Sequence, residues 1–363
     1  MNPLKTLFSK KEKPITCYLE FWDWFHEHDR EFLKAVMHRK ANEKNFFSKL
    51  SLKLEQLKDG INFLTGMIDE NTAELVLTAD GNAKNIAFVE ELVAAAPPIK
   101  GWKFTALKPA ARLSELSLEM DGYKFNEHNM SFYSNEHSDY PDEIDIVMVH
   151  NDLNDDNYLD ISNGIFIYLD NYLGELDFVV NIDNITVTGP RESDRELIPV
   201  SKLKDFLIWR QKEFIEKYDD IRHNTENDSY SAIEGTLKNG QPLIAIVNKD
   251  LLDWDNKASH PWIMKATFRY STPNTNGLPD KQMFQFLTGL EKEIIEELKD
   301  IDGYLNVGRQ TADYNKEVYF ACRDFRKPSK VMHRMKKEYC NKVEIDFEIV
   351  KDKYWQTFEK FRN

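Results

Sequence analysis

Cysteine is scarce: the 363 residues contain three, Cys17, Cys322 and Cys340, with no metal-ligand spacing among them. So odd and scattered a set excludes a disulfide framework and a cysteine-rich zinc site. It predicts free thiols in a reducing, cytoplasmic compartment. Long apolar runs are missing as well. None approaches the roughly 20 residues that span a bilayer, so no membrane partner is expected. The opening stretch MNPLKTLFSKKEKPITC has basic residues but neither an apolar core nor a small-residue cleavage site, which predicts no signal peptide. Glycine and proline, 14 and 13 residues, are spread thinly and form no low-complexity tract. The chain also lacks GxxxxGK followed by Ser or Thr, GxGxxG, HExxH and GxSxG. No phosphate cradle, dinucleotide turn, zinc protease helix or nucleophile elbow is therefore expected, and no cofactor.

What is present suits a folded protein. Hydrophobic residues make up 41% and aromatics 12%, enough for a core. The net charge of −14 is uneven: residues 261–363 carry +3, and the first 260 carry −17. An acidic front repels nucleic acid and suits solubility or a basic partner.

Periodicity divides the chain. Residues 18–58 read as helical, with Phe21, Trp24, Phe25, Phe32 and Val36 near one stripe, followed by Phe47, Leu50, Leu54 and Leu57. GINFLTGMIDENTAELVLTADG reads as two strands around a polar turn, KNIAFVEELVAAAPP as a helix stopped by Pro97 and Pro98, and GWKFTALK as a strand. The theme then recurs. EIDIVMVHND is a strand, ISNGIFIYLDNYLGELD a helix weakened by two glycines, and FVVNIDNITVTG a strand. IPVSKLKDFLIWRQKEFIEKYDDIR is an amphipathic helix. The polar, helix-poor stretch at 222–231 marks a domain boundary, giving residues 1–221 and 222–363.

The second part opens with a hairpin turning at Asn239-Gly240. In HPWIMKATFRY, residues Trp262, Met264, Ala266, Phe268 and Tyr270 share one face, and Lys265, Thr267 and Arg269 the other, the pattern of a half-buried strand. Asp280 is placed to cap a helix whose stripe is Met283, Leu287, Leu290, Ile294 and Leu298. A strand pair turning near Tyr314-Asn315, a helix from Pro328 and the strand KVEIDFEIV complete β-α-β-β-α-β. The fold class predicted is α+β: two α/β sandwich domains, the second ferredoxin-like, with helices on one face of its sheet and the other face free for docking.

Candidate chemistry is sparse. His26 and His28 sit two positions apart, roughly 200° around a helix, and cannot share a metal. DLNDDNYLDISN places Asp152, Asn154 and Asp156 at calcium-loop spacing, but Asn157 and Asn163 stand where glycine and a bidentate glutamate are needed. It reads better as a loop capped by Asp160 or Ser162. Residues 187–196, VTGPRESDRE, read as a strand-to-helix loop. Cys322 lies inside an apolar strand, as an inert thiol does. The cluster RDFRKPSKVMHRMKK, with Arg323, Arg326 and Arg334 and with Tyr319 and Phe325 nearby, could meet nucleic-acid phosphates. It reads better as a solvated helix face neutralised by the acidic helix at 291–300, and nucleic acid is not the expected partner.

The stretches HPWIMKATFRYS, NGLPD with the Leu/Glu-rich helix after it, and VEIDFEIVKDKYW resemble a bacterial family, the domain of unknown function 695. AELVLTADGNAKNIAFVEELVAAAPPIKGWKFTALKP and AIEGTLKNGQPLIAIVN resemble parts of its longer members. The order of elements in the last third resembles the ribonuclease E inhibitor RraB, a small regulator with a ferredoxin-like sandwich. No catalytic residues come with either resemblance. Two functions follow as expectations. The first is a non-catalytic regulator that docks a protein through Lys265, Thr267, Arg269, Arg323, Arg326 and Arg334. The alternative is a hydrolase or other enzyme with its site in the groove between the domains, where His150, Asp152, Arg191 and Arg269 are the candidate groups.

Overall fold

The structure, a computed structural model, describes residues 14–38, 43–190 and 195–362, and its helices and strands make an α+β protein. Two compact units emerge: residues up to Asp80 with Phe88–Lys108, and Gly81–Ala87 with Pro109–Asn363. Among the described residues no helix is long and apolar enough to cross a membrane.

In the first unit, helices α1 (Tyr18–His38) and α2 (Glu43–Leu57) precede strands β1 (Asn62–Met67) and β2 (Ala73–Thr78). Helix α3 (Ala83–Ala94) then leads to β3 (Trp102–Ala106). β1 and β2 pair antiparallel, whereas β2 and β3, joined through α3, pair parallel, as a crossover through a helix requires. Phe21, Trp24, Phe25, Phe32 and Val36 are buried as the stripe predicts. Trp22 joins them, its indole N–H donating to Leu92 O at 2.7 Å.

The second unit begins with a small hairpin, β4 (Leu118–Met120) and β5 (Tyr123–Phe125). Then come β6 (Met130–Asn135), β7 (Asp145–His150), helices α4 (Tyr158–Leu173) and α5 (Glu175–Asn181), β8 (Asn184–Thr188), β9 (Ile198–Pro199) and α6 (Leu203–Tyr218). The other four strands form a sheet in the order β8-β7-β6-β9, with α4 and α6 supplying Ile161, Ile165, Leu169, Leu203 and Leu207 to one core. Two expectations need correction. Phe178–Asn181 read as strand but finish α5, because Gly174, at φ 86°, ends α4 and lets a second helix restart at once. The loop before α4 is capped by Asn154, whose side chain accepts from Asp156 N at 3.0 Å, while Asp160 and Ser162 lie inside the helix.

The remaining elements are β10 (Tyr230–Thr236), β11 (Pro242–Asn248), α7 (Lys249–Leu252), β12 (Trp262–Arg269), α8 (Lys281–Glu297), β13 (Tyr304–Ala312), β14 (Asn315–Cys322), α9 (Arg326–Glu338) and β15 (Glu344–Lys351). They build one antiparallel sheet in the order β10-β11-β13-β14-β12-β15. Asp280 caps α8 as predicted, accepting from Met283 N at 2.8 Å. The hairpin turning at Gly240 docks its second strand on β13. That docking depends on Gly308, where a Cβ would lie 2.6 Å from Ile246 O.

The two faces of this sheet differ. One carries Trp262, Met264, Ala266 and Phe268, all buried. Helix α8 lies over it, since Lys316, register partner of Phe268, pairs with Glu291 of α8. Phe325, just before α9, packs its ring 4.6 Å from Trp262. The opposite face was expected to be free, and only half of it is. Ile263, Leu305, Val307, Tyr319 and Ala321 are roofed by Leu251 and Leu252 of α7 and by Trp355, Phe358 and Phe361 of the C-terminal turn. Apolar side chains there demand cover, and the chain supplies it from a segment with no strand or long-helix pattern.

Candidate functional site

The uncovered half of that face is charged. Alternation along β12 turns Lys265, Thr267 and Arg269 outward, level with Glu317 on β14 and with Asp346 and Glu348 on β15. With Gln310 and Asp313 they line a shallow depression of about 360 Å³. Lys265 pairs with Glu348 at 2.9 Å, and Arg269 with Glu344. Glu317 accepts from the Tyr319 hydroxyl, which itself accepts from Lys360 at 2.8 Å. Burial, and then the Glu317 carboxylate, push the Tyr319 hydroxyl far up, so it stays protonated as a donor.

Lys265, Thr267 and Arg269 are therefore brought together. Arg323, Arg326 and Arg334 lie elsewhere, each already engaged. Arg323 donates to Asp219 O and Ile221 O, and Arg326 pairs with Asp324 at 2.7 Å. Arg334 meets Glu293 and Glu297 of α8 as well as Glu338, which is the neutralisation by the acidic helix that its neighbourhood in sequence allows.

Of the candidate catalytic groups, His150 and Asp152 meet through the Asp152 backbone and Arg269 is taken by Glu344. His150 is buried and donates from Nε2 to Lys124 O at 3.0 Å, while its Nδ1 accepts from Asp152 N. Arg269 is paired as above, and Arg191 lies outside the described residues. His260 is a core residue: burial pushes it down to about 3, Ser259 Oγ sits 2.8 Å from Nδ1, and its backbone oxygen accepts from the Trp355 indole.

A polar groove does exist where the four-stranded and six-stranded sheets of the second unit meet. It measures about 500 Å³ and is lined by His137, Glu143, Asp183, Lys351, Asp352 and Lys353. Asp183 is its centre. One oxygen accepts from Ile144 N and Lys353 Nζ, both at 2.7 Å, and the other pairs with Lys351 Nζ at 2.8 Å. Lys353 also donates to Asp142 O, and Lys351 to Val180 O and Ile182 O. Against the cost of burial, the two ammonium groups hold Asp183 below the usual carboxylate range. Burial wins at Lys351, lowered to about 8, because one carboxylate cannot offset two ammonium ions. These lysines are committed to joining the sheets. Asp142 adds to the join by accepting from the Tyr218 and Tyr354 hydroxyls, both at 2.7 Å. Sequence reading missed this cluster. Asp183 and Lys353 lie 170 positions apart, and the only local signal is that Lys351 and Lys353 alternate at a strand end.

The comparisons bear on the C-terminal third. Residues 236–361 match a family of unknown function, DUF695. No curated protein and no solved structure matches the chain. The DUF695 match starts at the end of β10 and closes with the roofing turn. It therefore takes in the charged depression and Lys351 and Lys353, and leaves Asp183 outside.

Proposed function

We propose that residues 222–363 form a non-catalytic protein-docking module, a ferredoxin-like sandwich widened by a hairpin, and that its docking surface is the uncovered half of the sheet. The element order, which resembles RraB-type regulators, supports this reading. The observation that carries it is the charge of the depression: Asp313, Glu317, Asp346 and Glu348 outnumber Lys265 and Arg269, so the surface complements a basic segment of a partner. The acidic balance of the whole chain favours the same partner through faster encounter.

The test is quantitative capture from native lysate by the wild-type chain and by Asp346→Lys/Glu348→Lys, a half-buried and an exposed position on the edge strand. Partners held by wild type and lost from the double variant, through a contact segment rich in lysine or arginine, are the expected result. Equal recovery by both chains, or no recovery at low and moderate salt, overturns the reading.

A further inference from the structure

On the helix-covered side the sheet is wider than its roof. Helix α8 lies over β13 and β14, but the hairpin adds β11 beyond it, with no helix above β11 among the described residues lining the groove. Ile244 and Ile246, facing the same way two residues apart, are left opposite the flank of α8, where Phe284 and Ile295 project off the buried stripe. Phe284 is 58% exposed, Ile295 40% and Ile244 39%. Together with Leu278 and Pro279 they wall a groove of about 490 Å³, within the size range of small-molecule sites.

At its floor Glu291 is shared by two cations, Lys316 at 2.6 Å and Arg309 at 2.7 Å, and Lys292 stands at the rim. The groove thus holds positive charge in an otherwise acidic chain. Lys316 is 4% exposed and stays on Glu291, whereas the Arg309 side chain is 38% exposed and uses one of its five N–H donors on that carboxylate.

We propose that this groove binds an amphipathic monoanion of the fatty-acid type, a carboxylate on a long unbranched apolar chain. Its head group pairs two-toothed with the free edge of the Arg309 guanidinium. Its tail runs between Ile244 and Ile246 on one wall and Phe284 and Ile295 on the other, covering apolar surface that water now meets.

The probe is dodecanoate, titrated by calorimetry below its micelle concentration into the full chain, with dodecanol and dodecyltrimethylammonium as neutral and cationic counterparts. Saturable one-to-one binding is expected, weaker by at least about ten-fold for dodecanol and for Arg309→Gln. It should be lost in Thr288→Trp, which fills the groove and leaves its charged residues in the sequence. Circular dichroism checks that each variant is folded, and if Arg309→Gln is not, Thr288→Trp decides alone. Absent saturation, equal affinity for dodecanol or the ammonium ion, or unchanged binding in Thr288→Trp overturns the proposal. So does a dimer that Thr288→Trp dissociates while dodecanoate fails to bind, since the groove then belongs to a second copy.

Discussion

Two buried clusters in the second unit have the same composition, one carboxylate and two cations, and opposite surroundings. At the junction of the sheets, Asp183 holds Lys351 and Lys353, and backbone oxygens of Asp142, Val180 and Ile182 take up further ammonium donors. Under α8, Glu291 holds Lys316 and Arg309, and the guanidinium opens on an apolar groove. The first cluster lines a polar groove, but its donors are spent on Asp183 and on backbone oxygens that join the sheets. The second keeps spare guanidinium donors beside apolar walls, the combination from which binding sites are made. Charge composition alone therefore does not separate a latch from a site. What separates them is whether the donors run out before the cluster reaches solvent.

Substitutions test that contrast. Asp183→Ala leaves two ammonium groups buried without their carboxylate. Removing one partner of a buried pair typically costs about 3–5 kcal/mol, and urea unfolding should show a loss of that order. Glu291→Gln should cost less, about 2–3 kcal/mol, because Arg309 can turn to solvent and only Lys316 is stranded. An equal or larger loss for Glu291→Gln would mean that the donors of the second cluster are as fully committed as those of the first.

Acidity sharpens the comparison further. The folded state depresses Lys351 to about 8 from an unfolded value of 10.5, so between those values the unfolded chain binds more protons. Stability contributed by this group therefore rises with pH across that window, by at most about 1.4 kcal/mol per pH unit. Lys351→Met should flatten that part of the stability profile, measured by urea midpoints from pH 7.5 to 10.5, a range set by the same shift. A profile identical to wild type would place the depressed amine elsewhere.

The smallest effect is expected on the exposed face. Lys265→Ala breaks an open pair with Glu348 and should change stability by no more than about 0.5 kcal/mol, while altering partner capture at the depression. A large loss of stability there would show that the face is a structural element.

Much of the fold was legible because it follows from local spacing. Alternation from Trp262 to Tyr270 marked β12 and the face that is buried. Asp280 marked the start of α8, and Asn239-Gly240 marked the hairpin turn. The break at Phe178–Asn181 was not legible, because three apolar residues followed by Asn181 fit a strand or a short helix equally well. It was Gly174, at a positive φ of 86°, that ended α4 and let α5 begin. Of the candidate surface, Lys265, Thr267 and Arg269 were found by their alternation. Arg323, Arg326 and Arg334 were grouped by nearness in sequence, and the fold sends each to a separate acidic or backbone partner. The groove left one trace, the apolar Phe284 and Ile295 standing off the stripe of α8.

The sequence by itself determined which residues alternate, which recur at helical spacing and where turns fall, since those depend on neighbours within a few positions. Only the tertiary structure decided that the hairpin extends the sheet past its helical roof, that Trp355, Phe358 and Phe361 return to cover half of the other face, and that Asp183 meets Lys353 across 170 positions. The physical reason is that a strand's side-chain period names its buried face but not the strand beside it. Pairing is settled by which apolar surfaces and charges still lack cover once the local elements have formed.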